Sequence, residues 1–250
     1  MRQIAVLTVL IGGLALAMAG NAHGAGQCIT RSGTQAVPLV ELYTSEGCSS
    51  CPPADRWFSR QRGNAGANWL SFHVDYWDHL GWRDRFASPV HTRRQQDRVS
   101  MNGGSVVYTP QVMVGSEVNA PWRKDEDFAN TLADASALAK AGLALRLRGH
   151  GEGMEVRLGA ARAQGVTGPA QVWLAQYADA QTSKIMAGEN AGTTLRHDRV
   201  VRQLWGPWPL GDKALTQVLP VKPLAGAWGL VAFVQDKRGR TWQSLQCRAQ

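Results

Sequence analysis

Cysteine is scarce in this chain: Cys28, Cys48, Cys51 and Cys247 are the four in a length of 250 residues. That is too sparse for a small scaffold held together by disulfides in place of a core. Beyond the first residues there is no apolar run long enough to read as a membrane span. The glycine-rich fingerprints of dinucleotide and phosphate binding are missing, as is a Ser–His–Asp signature. No internal repeat or long linker breaks the chain. What is present is a 44% hydrophobic composition, too high for a disordered chain. The length leaves room for one large domain or two smaller ones.

Residues 1–22 read as a secretory signal peptide. Met1-Arg2-Gln3 carries a positive charge, Ile4 to Met18 is apolar, and Ala19, Gly20 and Ala22 are small. Cleavage after Ala19 or after Ala22 fits this pattern; an uncleaved anchor is the alternative. The expected mature protein is periplasmic or secreted, with no stable membrane insertion after signal cleavage. That compartment permits disulfides. Export also removes nucleic acid as a partner for the formal charge of +8. The basic residues are scattered, with small clusters at Arg93-Arg94 and from Arg196 to Arg202, and read as a solvated face. Attraction to an acidic envelope surface is the other reading.

Two hydrophobic periods divide the mature chain near Gly142. Before it, Val37 to Tyr43 predicts a buried strand, Pro52 to Gln61 a helix, and Trp69 to Val74 a second strand. Residues 75–105 are aromatic, polar and irregular. Val112 to Val114 predicts a third strand, and Asp125 to Ala141 a helix with acidic residues in its first turn and Gly142 at its stop. Strand–helix–strand followed by strand–helix is an α/β pattern. After Gly142 the period becomes two. Leu143, Leu145 and Leu147, a glycine-rich turn from Gly149 to Gly153, then Met154, Val156 and Leu158 predict a β-hairpin. Strands are further predicted at Ala170–Tyr177, Thr194–Leu204, Ala214–Val221, Trp228–Gln235 and Thr241–Cys247, which together suggest a β-sandwich-like all-β domain.

The chemistry points to Thr44 through Asp55, where Cys48-Ser49-Ser50-Cys51 lies between a predicted strand and a predicted helix. Two thiols at this spacing close a small ring and exchange with other disulfides. The first thiol is ordinarily the exposed one, activated by the positive helix end, and the second resolves the mixed disulfide. Pro52-Pro53 argues that the helix starts after Cys51, leaving Cys48 in a loop where the dipole effect falls off. Glu46 opposes thiolate formation as well. The alternatives are a passive disulfide and a metal site. Thiolates and imidazole suit Cu(I) or Zn(II), which makes Cys48, Cys51 and His73 a candidate ligand set.

Several stretches carry a family resemblance. Val40-Glu41-Leu42-Tyr43-Thr44-Ser45-Glu46-Gly47-Cys48-Ser49-Ser50-Cys51-Pro52-Pro53-Ala54-Asp55 resembles the hallmark of domain-of-unknown-function family 1223, a secreted family. His73 through Asp78, Leu80-Gly81-Trp82, Arg94-Gln95, Tyr108-Thr109-Pro110-Gln111, Gly188-Glu189-Asn190, Leu195 and Val200-Val201-Arg202 are similar to its further motifs. The resemblance implies a thioredoxin-like domain followed by a β-rich one, and no settled activity. With the boundary near Gly142 set by the change of period, the expected thioredoxin-like domain is residues 28–142, with the aromatic segment inserted at about 75–105, and the β-rich domain is 143–250. Thioredoxin-like folds carry a cis-proline facing the dithiol. Pro110 is expected to fill that place, with the Thr109 backbone pairing with an extended substrate.

The segment from Phe72 to Phe86 crowds aromatic rings with two histidines and three aspartates. Tyr76, Trp77 and Trp82 are candidates to wall a substrate groove, and Asp75 to relay protons to the resolving cysteine, with Asp55 a second supporting carboxylate. The plain alternative is an inserted loop tied down by aromatic packing. Cys28 and Cys247 lie near the two chain ends, which often approach each other in compact proteins. Their pairing, with Cys48 to Cys51, is one of three connectivities; its rival is a Cys28 that passes electrons to the dithiol. Glu189, Asn190, His197 and Arg202 read as turn chemistry with no catalytic role. The leading expectation is an exported thiol–disulfide oxidoreductase acting on protein thiols or disulfides of the cell envelope, without an organic cofactor. A copper-binding or copper-delivery protein and a non-catalytic interaction module are the alternatives.

Overall fold

A computed structural model describes residues 27–151 and 153–249. The expected signal peptide, residues 1–22, lies outside these. The described chain is mostly β with three α-helices: β1 (Cys28–Arg31), β2 (Leu39–Thr44), α1 (Pro52–Gln61), β3 (Asn68–His73), α2 (Pro89–Met101), β4 (Gln111–Val114), α3 (Asp125–Ala135), β5 (Ala141–His150) and β6 (Gly153–Arg162). The remaining strands are β7 (Ala170–Ala178), β8 (Gln181–Lys184), β9 (Thr194–His197), β10 (Val200–Pro209), β11 (Leu215–Val221), β12 (Trp228–Asp236) and β13 (Thr241–Ala249). No described helix is long and apolar enough to cross a membrane.

β2 and β3 run parallel, joined through α1, and β4 pairs antiparallel with β2. Every residue of β2, β3 and β4 is buried, as strands covered on both faces require. On one face Val40 and Leu42 meet Trp57, Phe58 and Phe128 from α1 and α3. On the other, Leu39, Tyr43 and Phe72 meet Val99 of α2 together with Tyr177 and Phe233 of the later strands. The sheet continues past β3. β10 pairs with it in parallel through Val200 and Ser71, giving a seven-stranded order β13-β12-β7-β10-β3-β2-β4. Both sides of Gly142 therefore supply strands to one sheet.

A four-stranded sheet, β1-β5-β6-β11, packs on its β-rich end. The alternation of Leu143, Leu145 and Leu147 turns these side chains inward against Leu174, Leu230 and Leu245. Cys28 on the edge strand β1 is bonded to Cys247 on the edge strand β13, with Cα atoms 5.9 Å apart, so one disulfide clips the two layers together.

Three expectations change. Residues 75–105 contain a full helix, α2, whose buried face is His91, Arg94, Gln95, Arg98 and Val99. The helix expected to run to Ala141 stops at Ala135. Residues 136–139 instead run extended beside Thr34 to Ala36, with Ala36 N–H donating to the Ala137 carbonyl and Ala139 N–H to that of Thr34. The strand expected over Thr194–Leu204 is two, broken at Arg199, whose φ is +56°.

Candidate functional site

The cysteine loop begins where β2 ends. Cys48 N–H donates to the Ser45 carbonyl at 3.2 Å, and Cys51 N–H to the Cys48 carbonyl at 3.2 Å. Cys51 caps α1 in a helical conformation, and its carbonyl accepts from Ala54 and Asp55. Pro52 and Pro53 occupy the first turn, where a missing N–H leaves no bond unmade. Cys48 and Cys51 are joined in a disulfide with Cα atoms 5.4 Å apart. Both are fully buried, while Ser49 and Ser50 above them are exposed. The sequence pattern predicts an exposed first thiol; tertiary contacts from three other segments cover it.

The first cover is the aromatic segment. Gly47 lets it approach: a Cβ there would lie 3.1 Å from the Cβ of Trp77. Trp77 Nε1 donates to Thr109 Oγ1 at 2.8 Å. The second is the bend preceding β4. The Thr109–Pro110 bond is cis and both residues are buried. The Thr109 carbonyl accepts from Ser50 Oγ at 3.4 Å. The third comes from the turn between β8 and β9. Asn190 Nδ2 donates to the carbonyls of Glu46 at 2.8 Å and Cys48 at 3.0 Å, and Ser49 N–H donates to Glu189 Oε2 at 3.1 Å. These Ser49 bonds lower the pKa of the exposed Glu189 carboxyl.

Near this loop lies a buried ionisable cluster. Thr44 Oγ1 donates to Asp55 Oδ2 at 3.0 Å, and Trp82 Nε1 to Glu46 Oε2 at 2.8 Å. His197 sits between two carboxylates, with Nδ1 3.6 Å from Asp55 Oδ1 and Nε2 3.6 Å from Glu46 Oε1. Its ring meets that of His73 edge-on at 4.7 Å. His73 Nδ1 in turn lies 2.6 Å from Asp84 Oδ2, which also accepts the Glu46 N–H at 2.9 Å. Burial alone would lower the pKa of His197, but Asp55 and Glu46 raise it to about 10. Burial would raise Asp84; the charge and hydrogen bond of His73, with N–H bonds from Glu46 and Phe86, lower it to about 2. Glu46 is likewise raised by burial but lowered overall, chiefly by His197. His197 is therefore a cationic imidazole near neutral pH, beside the Glu46 carboxylate.

The expected residues do not all converge. Trp77, Thr109 and Asp55 touch the loop or its floor, as described. Tyr76 lies beside Trp77, with ring centroids 6.4 Å apart, and its hydroxyl donates to Gln95 of α2. Asp75 turns instead to α2, where Thr92 Oγ1 donates to its carboxylate at 2.5 Å. Of the candidate copper ligands, Cys48 and Cys51 are bonded to each other and His73 lies against Asp84. No group of three or more His, Cys, Asp or Glu side chains among the described residues is arranged to hold a metal ion. Trp82 and Glu46, read from the sequence as a groove wall and as a charge opposing the Cys48 thiolate, are bonded to each other beside the loop, and Glu189, Asn190 and His197 belong to the site although sequence reasoning read them as turn chemistry. Their signal was present only as the family-like motifs around them.

No curated protein matches the chain. Among solved structures, a structural-genomics target from Agrobacterium tumefaciens is similar, with a TM-score of 0.66 and 23% identity over 86% of this chain and 96% of that one. At that identity the likeness speaks for the fold alone. The family described as Protein of unknown function (DUF1223) matches residues 39–235, a span from the first residue of β2 into β12 that takes in the cysteine loop, its aromatic cover and the Asn190 turn. The chain belongs to this family.

Proposed function

We propose that the protein is an exported thiol–disulfide oxidoreductase, built on a thioredoxin-like domain at residues 28–142 and carrying a β-rich domain at 143–250. Cys48 is the attacking sulfur and Cys51 the resolving one. The Thr109–Pro110 edge, with Trp77 and Tyr76, receives the partner's extended cysteine segment. Protein thiols or disulfides of the cell envelope are the substrates, and no organic cofactor takes part.

The observation that carries the reading is the Cys48–Cys51 disulfide at a strand–helix junction, beside Thr109 and above ionisable groups. A bridge across two intervening residues closes too small a loop to stabilise the chain much. Its use is better sought in chemistry than in stability. Asp55 follows Cys51 by one helical turn, so the two share a helix face. That is the place for a group that holds a proton while Cys51 alternates between thiol and disulfide. The two disulfides and the absence of a membrane-spanning helix among the described residues are compatible with an envelope location.

The test is the Cys51→Ser protein, expressed in the native compartment and resolved without reductant. Specific mixed disulfides through Cys48 are expected. If none form, the reading fails and a non-catalytic interaction module takes its place.

A further inference from the structure

The disulfide that should react is fully buried, and the turn between β8 and β9 is bonded to the backbone of the loop that carries it. Asn190 is itself buried and grips two carbonyls of the cysteine loop, those of Glu46 and Cys48. Glu189 is exposed and takes the N–H of Ser49, the residue next to Cys48. Gly188 has φ +73° and packs so closely that a Cβ would lie 3.1 Å from the Cβ of Trp82, which is itself bonded to Glu46. The turn therefore contacts the cysteine loop from above and its aromatic cover from the side. Both cysteines are fully buried in this bonded arrangement. The exposed Glu189 also sets a negative charge against the cysteine loop at Ser49, on a protein whose overall charge is positive.

We propose that the Gly188–Asn190 turn is the gate of the Cys48–Cys51 disulfide: Asn190 holds it shut, and Glu189 selects against anionic thiols in favour of neutral or cationic cysteine segments. The inference rests on the oxidoreductase reading and adds its access control and substrate class. When the gate opens, an incoming thiolate forms a bond to Cys48 sulfur and breaks the Cys48–Cys51 bond. Cys51 leaves with the electron pair and takes up a proton. A second thiol then releases Cys48, so the small thiol ends as its own disulfide and both cysteines as thiols.

The test measures the rate of reduction of the Cys48–Cys51 bond by three small thiols: glutathione, which is anionic, 2-mercaptoethanol, which is neutral, and cysteamine, which is cationic. Asn190→Ala removes two hydrogen bonds that oppose opening, and is expected to speed all three about tenfold. Glu189→Gln is expected to raise the glutathione rate relative to the cysteamine rate about two- to threefold at low ionic strength. That bias should vanish in ~1 M salt, where exposed charges are screened within about 3 Å. Near-ultraviolet circular dichroism and an intact Cys28–Cys247 bond certify the fold of each variant. A folded Asn190→Ala protein with unchanged rates overturns the gate, and an unchanged rate ratio in Glu189→Gln overturns the selection. Should Asn190→Ala not fold, the exposed Glu189→Gln substitution decides alone. Because small thiols are the probes, the gate is tested whether or not Cys51→Ser traps a partner.

Discussion

His197 lies between Glu46 and Asp55 with both ring nitrogens 3.6 Å from a carboxylate oxygen and neither in a hydrogen bond. Buried charge of this kind is costly unless it is paired, and pairing raises the imidazole to about 10 from an ordinary 6.5. Since the folded value lies above the unfolded one, the stabilisation is complete below about pH 6.5 and is lost as pH rises through about 10. Urea midpoints should fall over that interval in the native protein, and His197→Gln should abolish the fall. Asp84 and Glu46 behave in the opposite sense. Their folded values are depressed, so their contribution is present above the ordinary carboxylate range and disappears as the pH falls, for Asp84 toward about 2. A second buried network accompanies this one. Glu41 accepts from Arg94 at 2.8 Å, Arg98 at 2.5 Å and Tyr43 at 2.9 Å. Burial would raise Glu41, but the two guanidinium groups lower it to about 2. Arg94 also lies over Phe72, Trp173 and Phe233, so the network ties α2 to strands on both sides of Gly142.

Elements were legible where their buried face is apolar. β2, α1 and the β5–β6 hairpin follow from strings of Val, Leu and aromatic residues at the right period. α2 does not, because the side chains it buries are mainly charged or amide-bearing, and a hydrophobic periodicity cannot register them. The end of α3 was equally hidden. Asp125 to Ala141 is helical by spacing, yet backbone bonds to Thr34 and Ala36, a hundred residues away in sequence, draw residues 136–139 out of it. The start of α1 was visible in Pro52-Pro53, and it bears on reactivity. Cys51 is the cap, so Cys48 lies outside the helix, where the dipole has weakened. After reduction, Cys48 is expected to titrate above ~5, higher than the most acidic thiols of strong oxidants. Thiolate absorbance against pH measures this directly, and a lower value would falsify the assignment of the helix start as the controlling factor.

At the scale of the whole molecule, two layers of strands share one clip. The Cys28–Cys247 bond spans a sequence separation of 219 residues and joins the outermost strand of each sheet. Replacing both cysteines by Ala should reduce stability by roughly 2–5 kcal/mol in urea unfolding, because a long loop is freed in the unfolded chain. The cysteine pattern by itself determined both the reactive-looking loop and the option of this clip. Local chemistry, namely spacing, proline placement and strand–helix order, is written in adjacent residues. The seven-stranded sheet across Gly142, the burial of the disulfide and the meeting of Glu46, Asp55, His73, Asp84 and His197 were decided only by the tertiary structure. Each depends on residues distant in sequence, from the 38 positions between Glu46 and Asp84 to the 142 between Cys48 and Asn190. Polar side chains carry no periodic sign of the partner they will meet; packing alone supplies it.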